Sequence, residues 1–149
     1  MSRTIRPLTL RERSMNKFIT FEGVEGSGKS TQLRRLGEYL NGKNIPVILT
    51  QEPSGTPTGR KIGDILFDRG HQAMCPETEL FLFFAARAQH VREVIRPALN
   101  DGKHVLCDRF SDATFAYQSA GRGLDFNFIK TVNDYCAQQL KPDLNLLFD

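Results

Sequence analysis

Residues 23–30 form a glycine-rich run that ends in a lysine and a serine. The run fits the pattern G-x-x-x-x-G-K-[ST], and it stands between an apolar stretch and a helical pattern, the strand-to-helix setting in which such a loop binds ATP or GTP. Glycines let backbone N–H groups converge on phosphate oxygens. We expect Lys29 to neutralise the outer phosphates, Ser30 to ligate Mg²⁺ and the dipole of the following helix to favour the anion. The alternative is a chance match in a glycine-rich turn.

A second pair of charged residues, Asp108 and Arg109, directly follows the apolar run at 103–107. If that run is a strand of a parallel sheet, both residues emerge at its carboxyl edge, where open α/β folds bind ligands. Asp108 is then placed to organise the Mg²⁺ ligands, and the guanidinium of Arg109 suits a phosphate group. The alternative is a local ion pair that caps the strand.

The elements that must position these residues are also visible in the sequence. Four short apolar runs, at 17–22, 46–50, 103–107 and 143–148, alternate with segments of helical spacing, which predicts an α/β fold with a parallel sheet flanked by helices. Four helices are predicted. The first follows the loop, with apolar positions Leu33, Leu36 and Leu40, and the second has a core-facing stripe of Ile62, Ile65 and Leu66 and ends near Gly70. The third runs from Pro76 to about Leu99 and is kinked or closed by Pro97; its apolar positions are Leu80, Phe83, Phe84, Val91, Val94 and Ile95. The fourth runs from about Asp125 to Leu140, with apolar positions Phe128, Ile129, Val132, Tyr135 and Cys136.

Composition favours a single globular domain, because the chain has 149 residues of which 40% are hydrophobic and 25% charged. The net charge of +3 is spread along the chain, which indicates a mixed-charge surface and no nucleic-acid patch. Three scattered cysteines indicate reduced thiols, and no apolar run is long enough for a membrane helix, so we expect a cytoplasmic protein. Residues 1–14 are expected to be a disordered extension or a presequence before a domain at 15–149, with Met15 an alternative start.

Five motifs occur in one order along the chain. They are FEGVEGSGKST at 21–31, EPSGT at 52–56, FFAAR at 83–87, DRF at 108–110 with AYQ at 116–118, and KPDL at 141–144. Together they resemble the bacterial thymidylate kinases, from about Asn16 to the last residue. The resemblance implies a P-loop NTPase-type three-layer α/β/α fold, transfer of the γ-phosphoryl group of MgATP to dTMP, and a homodimer. The residues thereby assigned to the ATP phosphates are Gly23, Val24, Glu25, Gly26, Ser27, Gly28, Lys29, Ser30 and Thr31.

The resemblance also implies a site for the thymine base. Phe83 stacks on the ring and Arg87, one helical turn further along, hydrogen-bonds a thymine carbonyl. Thr114 and Gln118 read the remaining edge of the base, and Tyr117 crowds the sugar 2′ carbon, which favours deoxyribose. From the residues alone, Phe83 is equally well explained as a core aromatic, and Tyr117 as simple packing.

Around the phosphates, the resemblance places Glu25 near the sugar and phosphate of the acceptor, where it joins Lys29 and Arg109 as a catalytic residue. Glu52 and Pro53 then shape the monophosphate pocket. The alternatives are an exposed loop carboxylate for Glu25 and an ordinary turn for Glu52 and Pro53. The acceptor oxygen of a monophosphate is already ionised, so the expected reaction needs no general base and depends on positioning and charge neutralisation.

The chain departs from the family pattern at Gln51 and Gly63, where relatives carry arginines that face the acceptor phosphate. Arg60 and Lys61 lie one turn before Gly63 without matching either position, which predicts weak dTMP binding. Relatives continue beyond Asp149 with a mobile lid that supplies the catalytic arginine, a fifth strand and further helices. We therefore expect an incomplete sheet and slow or no turnover. The alternatives are a nucleotide-binding remnant without catalysis and another small P-loop kinase.

Overall fold

Four parallel strands form the sheet that positions the site. The structure, a computed structural model, describes residues 16–68, 70, 74–116 and 121–149. The strands are β1 (Phe18–Gly23), β2 (Val47–Gln51), β3 (His104–Asp108) and β4 (Leu144–Phe148), in the order β2-β3-β1-β4. Each lies within one residue of the run that predicted it, so the parallel α/β sheet is confirmed. The extension predicted at 1–14 lies outside the described residues.

Helices connect the strands. The described residues contain α1 (Lys29–Gly42), α2 (Pro57–Leu66), α3 (Pro76–His90), a π-helical segment (Val91–Ile95), α4 (Arg96–Asn100), α5 (Ser111–Thr114) and α6 (Phe126–Cys136). Thr56 caps α2 by accepting a hydrogen bond from the Gly59 N–H at 2.9 Å, and Asp125 caps α6 by accepting one from the Phe128 N–H at 2.6 Å.

The long helix predicted from Pro76 to Leu99 is present, but Pro97 does not close it. Helical structure runs from Pro76 to Asn100 and widens to π geometry at Val91–Ile95, just before the proline. Because proline lacks an N–H and crowds the preceding turn, a local widening relieves the clash and the helix continues. Among the described residues, neither this helix nor any other has the length and apolar character needed to cross a membrane.

The core occupies both faces of the sheet, since side chains alternate along each strand. On one face Phe18 packs with Val91, Ile95 and Phe110, all at most 1% exposed. On the other face Phe21 and Leu106 pack against Leu33, with Leu36 and Leu40 at the margin. The stripe predicted for the first helix is therefore confirmed.

The stripe predicted for α2 is partly wrong. The helix ends at Leu66, before Gly70, and Ile65 is 45% exposed, whereas the buried positions are Gly59 and Gly63. A Cβ at Gly59 would lie 2.1 Å from the Pro53 carbonyl oxygen, so the loop after β2 packs against a glycine face that no apolar pattern reveals.

The prediction for α6 is also partly wrong. The helix ends at Cys136 and not at Leu140, because Gln138 and Gln139 adopt left-handed backbone conformations with φ of 51° and 58°. Ile129 is fully buried as expected, but Tyr135 is 82% exposed and Phe128 is 48% exposed. Only part of the predicted apolar face therefore packs against the protein.

Candidate active site

The carboxyl ends of three strands meet at one edge of the sheet. In register, Asp108 at the end of β3 pairs with Phe21 of β1 and Gln51 of β2. The Ser30 hydroxyl, in the first turn of α1, donates a hydrogen bond to the Asp108 carboxylate at 2.5 Å. The glycine-rich loop and the Asp108–Arg109 pair, which lie far apart in the sequence, therefore form one site.

The glycine-rich loop joins β1 to α1 as its pattern predicts. Gly26 and Gly28 have φ of 79° and 90°, values that side chains disfavour, and α1 begins at Lys29. The Lys29 side chain is 6% exposed, and its ammonium group donates to the Val24 carbonyl oxygen at 2.5 Å. Its positive charge is thus held inside the curve of the loop.

A cavity of about 790 Å³ opens beside this loop. It receives side chains from the loop, from the segment after β2, from α3, and from the end of β3 onward. Its lining residues are Glu25, Gln51, Glu52, Pro53, Ser54, Phe67, Glu79, Phe83, Arg87, Asp108, Arg109, Phe110, Ala113, Thr114, Gly121 and Arg122. Every described residue that was predicted to bind dTMP lies in this set, and the predicted residues Tyr117 and Gln118 lie outside the described part of the chain.

The phenylalanines of α3 separate into different environments. Phe83 is half-buried and lines the cavity, whereas Phe84 is 2% exposed and packs with Leu80 and Ile129. Phe81 is 51% exposed and contacts the Phe128 ring edge-on. The structure therefore offers one aromatic ring of α3, that of Phe83, to a ligand in the cavity.

Arg87 forms a buried ion pair with Glu52 at the floor of the cavity. Its Nε and Nη2 donate to one Glu52 carboxylate oxygen at 3.0 and 2.8 Å, and the Arg87 side chain is 1% exposed. The resemblance implied a thymine carbonyl as the partner of this arginine, and the protein itself provides the Glu52 carboxylate. A bond to a thymine carbonyl stays a prediction.

Further bonds from Arg87 reach α6 and the segment after β3. Nη1 donates to Asn133 of α6 at 2.7 Å, and Nη2 donates to the Phe110 carbonyl oxygen at 2.8 Å and to the Thr114 hydroxyl at 3.0 Å. The guanidinium also lies 5.0 Å from the centroid of the Phe110 ring. One buried side chain thus ties α3 to α6, to the segment after β3 and to the segment after β2.

Glu52 has a second buried partner in His90. The His90 Nδ1 lies 3.3 Å from a Glu52 carboxylate oxygen, and His90 Nε2 shares a hydrogen bond of 2.6 Å with the Thr50 hydroxyl. Burial is the largest effect on the Glu52 carboxyl and would raise its pKa, but Arg87 and His90 outweigh it and lower the pKa below the ordinary value. Glu52 is therefore held as a carboxylate.

Arg109 adopts a backbone conformation that is unusual for a residue other than glycine, with φ of 67°. Its N–H donates to the Phe21 carbonyl oxygen of β1 at 3.0 Å. The next residue, Phe110, donates its N–H to the Glu22 carboxyl group at 2.8 Å. Backbone and side-chain bonds from β1 thus hold Arg109 at the rim of the cavity that it lines.

Sequence reasoning missed several residues of this site. Glu22, His90 and Asn133 are buried polar residues whose hydrogen-bond partners are Phe110, Glu52 and Arg87, in that order. Arg122 forms an ion pair of 3.1 Å with Glu79 beside the cavity. A carboxylate at the end of an apolar strand is a signal that could have identified Glu22. The three histidines form no ligand pattern in the sequence, which favours ordinary surface or packing roles, but His90 stands three residues after Arg87 on a helix and so faces the same side.

A parallel sheet with a glycine-rich loop between its first strand and first helix, next to a cavity at the carboxyl edge, defines a P-loop nucleotide-binding protein. The comparisons narrow this class, because the family model described as thymidylate kinase matches residues 21–149. This chain therefore belongs to the thymidylate kinase family.

Individual relatives agree with this assignment. The chain is 54% identical over 135 residues to a thymidylate kinase of Syntrophus aciditrophicus, covering 91% of this chain and 62% of the relative, and 53% identical over 132 residues to one of Pseudomonas fluorescens, covering 89% and 63%. The crystal structure of thymidylate kinase from Ehrlichia chaffeensis superposes with a TM-score of 0.83 at 41% identity, covering 90% of this chain and 71% of that one. The chain thus spans about 62% of the length of the first of these curated relatives.

Proposed function

We propose that this chain transfers the γ-phosphoryl group of ATP to dTMP, giving dTDP. One observation carries the proposal. The adjacent residues Asp108 and Arg109 connect the phosphate-binding loop with the cavity. Asp108 accepts the hydrogen bond from Ser30 of the phosphate-binding loop, and both Asp108 and Arg109 line the cavity that holds Phe83. A nucleotide in the cavity would therefore present its phosphate beside the terminal phosphate of a triphosphate in the loop, which is the proximity that phosphoryl transfer requires.

On the donor side, loop N–H groups and Lys29 bind the phosphates of ATP. The Ser30 hydroxyl and the Asp108 carboxylate, 2.5 Å apart, offer the hard oxygen ligands that Mg²⁺ prefers, so these two residues would hold the ion. When bound, Mg²⁺ neutralises and orients phosphate oxygens. Lys29 adds positive charge where the transferred group accumulates negative charge.

On the acceptor side, we assign the thymine ring to Phe83 and the 5′-phosphate to Arg109, both of which line the cavity. Glu25 of the loop reaches the same cavity near the sugar and phosphate. Arg87 bonds Asn133 through Nη1 and has no second acceptor for that nitrogen among the described residues, so one N–H at the cavity floor is available to a thymine carbonyl. Thr114 then has a double role, since its hydroxyl also binds Arg87.

The remaining assignments depend on the family resemblance. They are the readout of the base edge by Gln118, the exclusion of ribose by Tyr117, the packing of the monophosphate pocket by Glu52 and Pro53, a cytoplasmic location and a homodimer. The three cysteines, Cys75, Cys107 and Cys136, are free thiols, which agrees with a reducing compartment. Sedimentation of the purified chain measures the oligomeric state.

Separate equilibrium titrations with ATP, dTMP, dCMP and dAMP test the proposal. We expect the chain to bind both ATP and dTMP. We expect dCMP and dAMP to bind at least about tenfold more weakly than dTMP, because the base is recognised by hydrogen bonds. Lys29→Ala should abolish ATP binding and leave dTMP affinity within about threefold, since Lys29 lies on the donor side. Equal binding of the three monophosphates would contradict the assignment of the base site.

A further inference from the structure

Glu22 is a buried acid to which the proposed reaction gives no role. It lies on β1, one residue before the glycine-rich loop, on the same face of the sheet as Phe18 and Thr20, and it is 4% exposed. A carboxyl group at such a position is costly to bury, so it needs a structural reason. Its contacts show what it holds.

The peptide unit of Phe110 is held by side chains from two other elements. Glu22 Oε1 accepts a hydrogen bond from the Phe110 N–H at 2.8 Å, and Arg87 Nη2 donates to the Phe110 carbonyl oxygen at 2.8 Å. The Phe110 ring packs edge-on against Phe18, with centroids 4.9 Å apart. Phe110 is thus fixed through its N–H, its carbonyl group and its ring.

Arg109 depends on this fixation. Its φ of 67° is unfavourable for an arginine, and such a conformation persists only where the surroundings impose it. The Arg109 N–H is bound by the Phe21 carbonyl oxygen at 3.0 Å, and the next N–H along the chain is bound by Glu22. Two successive residues of β1 therefore bind two successive N–H groups and impose the backbone turn that directs Arg109 to the cavity.

We propose that Glu22 is a positioning residue that sets Arg109 against the phosphate of the acceptor nucleotide. The identity of that acceptor rests on the proposed function. The role of Glu22 in fixing the loop at Arg109 and Phe110 does not depend on it. An apolar residue at position 22 would leave the Phe110 N–H buried without an acceptor, and a shorter acid would not reach it. Glu22 thus combines an acceptor atom with the required length.

The charges that face Glu22 agree with this role. The pKa of Glu22 is raised to about 7, mainly by burial. The hydrogen bond from the Phe110 N–H lowers this pKa and the charge of Asp112 raises it, while Arg87 lowers it and Glu52 raises it to smaller extents. The second oxygen, Oε2, is buried and has no hydrogen-bond partner among the described residues. Because Oε1 can accept the Phe110 N–H whether or not the carboxyl is protonated, we expect the hold on the loop to survive in both forms.

Three variants of the full chain distinguish a positioning role of Glu22 from general damage to the fold. Glu22→Gln keeps a side-chain oxygen within reach of the Phe110 N–H, whereas Glu22→Leu keeps a similar volume without an acceptor. Thr20→Val is the matched control, because it removes a buried hydroxyl from the same face of β1 whose bond goes to Asn145 at 2.7 Å and not to the Arg109 loop. If Glu22→Leu does not fold, Glu22→Asp, which is one methylene shorter, replaces it.

The first measurement is amide hydrogen exchange at Arg109 and Phe110, which needs no ligand. We expect Glu22→Leu to accelerate exchange at Phe110 by at least about tenfold, and Glu22→Gln and Thr20→Val to stay within about threefold of the parent chain at this site. Unchanged protection in Glu22→Leu, or equal acceleration in Thr20→Val, would overturn the proposal.

The second measurement is the affinity for dTMP and for ATP. Glu22→Leu should weaken dTMP binding at least about tenfold and leave ATP binding within about threefold, because only the acceptor side uses Arg109. Equal loss of both affinities would overturn the positioning role and indicate general damage. Absence of dTMP binding in the parent chain would instead contradict the proposed function and the acceptor role, while the exchange data would still decide whether Glu22 holds the loop.

Discussion

The guanidinium of Arg87 and the carboxylate of Glu52 form an ion pair of 2.8 Å in which the two side chains are 1% and 4% exposed. Burying both charges is costly, and the cost is offset only where further hydrogen bonds complete each group. Here Asn133, Thr114 and the Phe110 carbonyl group accept further hydrogen bonds from the arginine, and His90 contacts the carboxylate. The pair fixes the cavity floor and the position of the loop after β3.

Removing one partner of this pair should strongly destabilise the fold. Arg87→Met leaves the Glu52 carboxylate buried beside His90 alone, which should lower the free energy of unfolding by about 3–5 kcal/mol. Lys103→Ala is the control, because its ion pair with Asp101 is exposed at 3.7 Å and should be worth less than about 1 kcal/mol. Urea unfolding measures both changes, and equal losses would contradict the central place given to the buried pair.

The two buried acids should give opposite contributions to the pH dependence of stability. The raised pKa of Glu22, about 7, means that the folded chain binds more protons than the unfolded chain between pH 4.5 and about 7, so its contribution is present below pH 4.5 and is lost as pH rises. A shift of this size corresponds to roughly 3 kcal/mol. Glu52 has a lowered pKa, so its contribution is present above pH 4.5 and is lost in acid, as the pH falls through the folded value.

Urea unfolding of Glu22→Gln across the same pH range isolates the first contribution. The variant lacks the titrating group and should therefore lose the decrease in stability between pH 4.5 and about 7. An identical pH profile in the variant and the parent chain would show that Glu22 does not titrate there.

The sheet could be predicted from the sequence because its signals are local. Apolar runs bounded by glycine, proline and charged residues located all four strands, and the loop motif located the start of α1. The misses have a common cause in tertiary packing. Gly59 and Gly63 bury the face of α2 through close backbone approach, and Tyr135 stands on an apolar stripe although the described chain leaves it exposed.

The site was predictable only in its parts. The motifs identified Phe83, Arg87 and Arg109, and all three line the cavity. The network around Arg87 was not predictable, because its partners Glu52, Phe110 and Asn133 come from different segments and meet only in the folded chain. Sequence motifs indicate which residues could bind a ligand. The fold determines which of these residues form hydrogen bonds with one another.

Phe83 and Phe84 provide a test of stacking against packing. Phe83→Ala should weaken dTMP binding by about 1–3 kcal/mol with a small change in stability, because the ring is half-buried in the cavity lining. Phe84→Ala should instead lower the free energy of unfolding by about 3–5 kcal/mol, because this ring is 2% exposed in the core. Calorimetric titration and urea unfolding of both variants decide the matter, and a reversal of the two phenotypes would exclude the stacking role of Phe83.

Gln51 offers a gain of function. It is exposed, lines the cavity and stands where relatives are expected to carry an arginine, and neither Arg60 nor Lys61 is among the described residues that line this cavity. Gln51→Arg adds a guanidinium that can meet the acceptor phosphate, and it should tighten dTMP binding by about 1.5–3 kcal/mol. Gln51→Lys, with the same charge but no planar fork, should gain less. Titration with thymidine, which lacks the phosphate, should show no gain, and an equal gain with thymidine would contradict the assignment.

A single-turnover reaction tests whether the loop and the cavity form one phosphoryl-transfer site. Excess folded chain is mixed with Mg²⁺, γ-labelled ATP and dTMP, and labelled dTDP is followed over time, so that even slow transfer is detected. We predict labelled dTDP from the parent chain and none from Lys29→Ala, which lacks the ammonium group in the loop. Absence of labelled dTDP from the parent chain, or equal formation in Lys29→Ala, would contradict the assignment of one phosphoryl-transfer site.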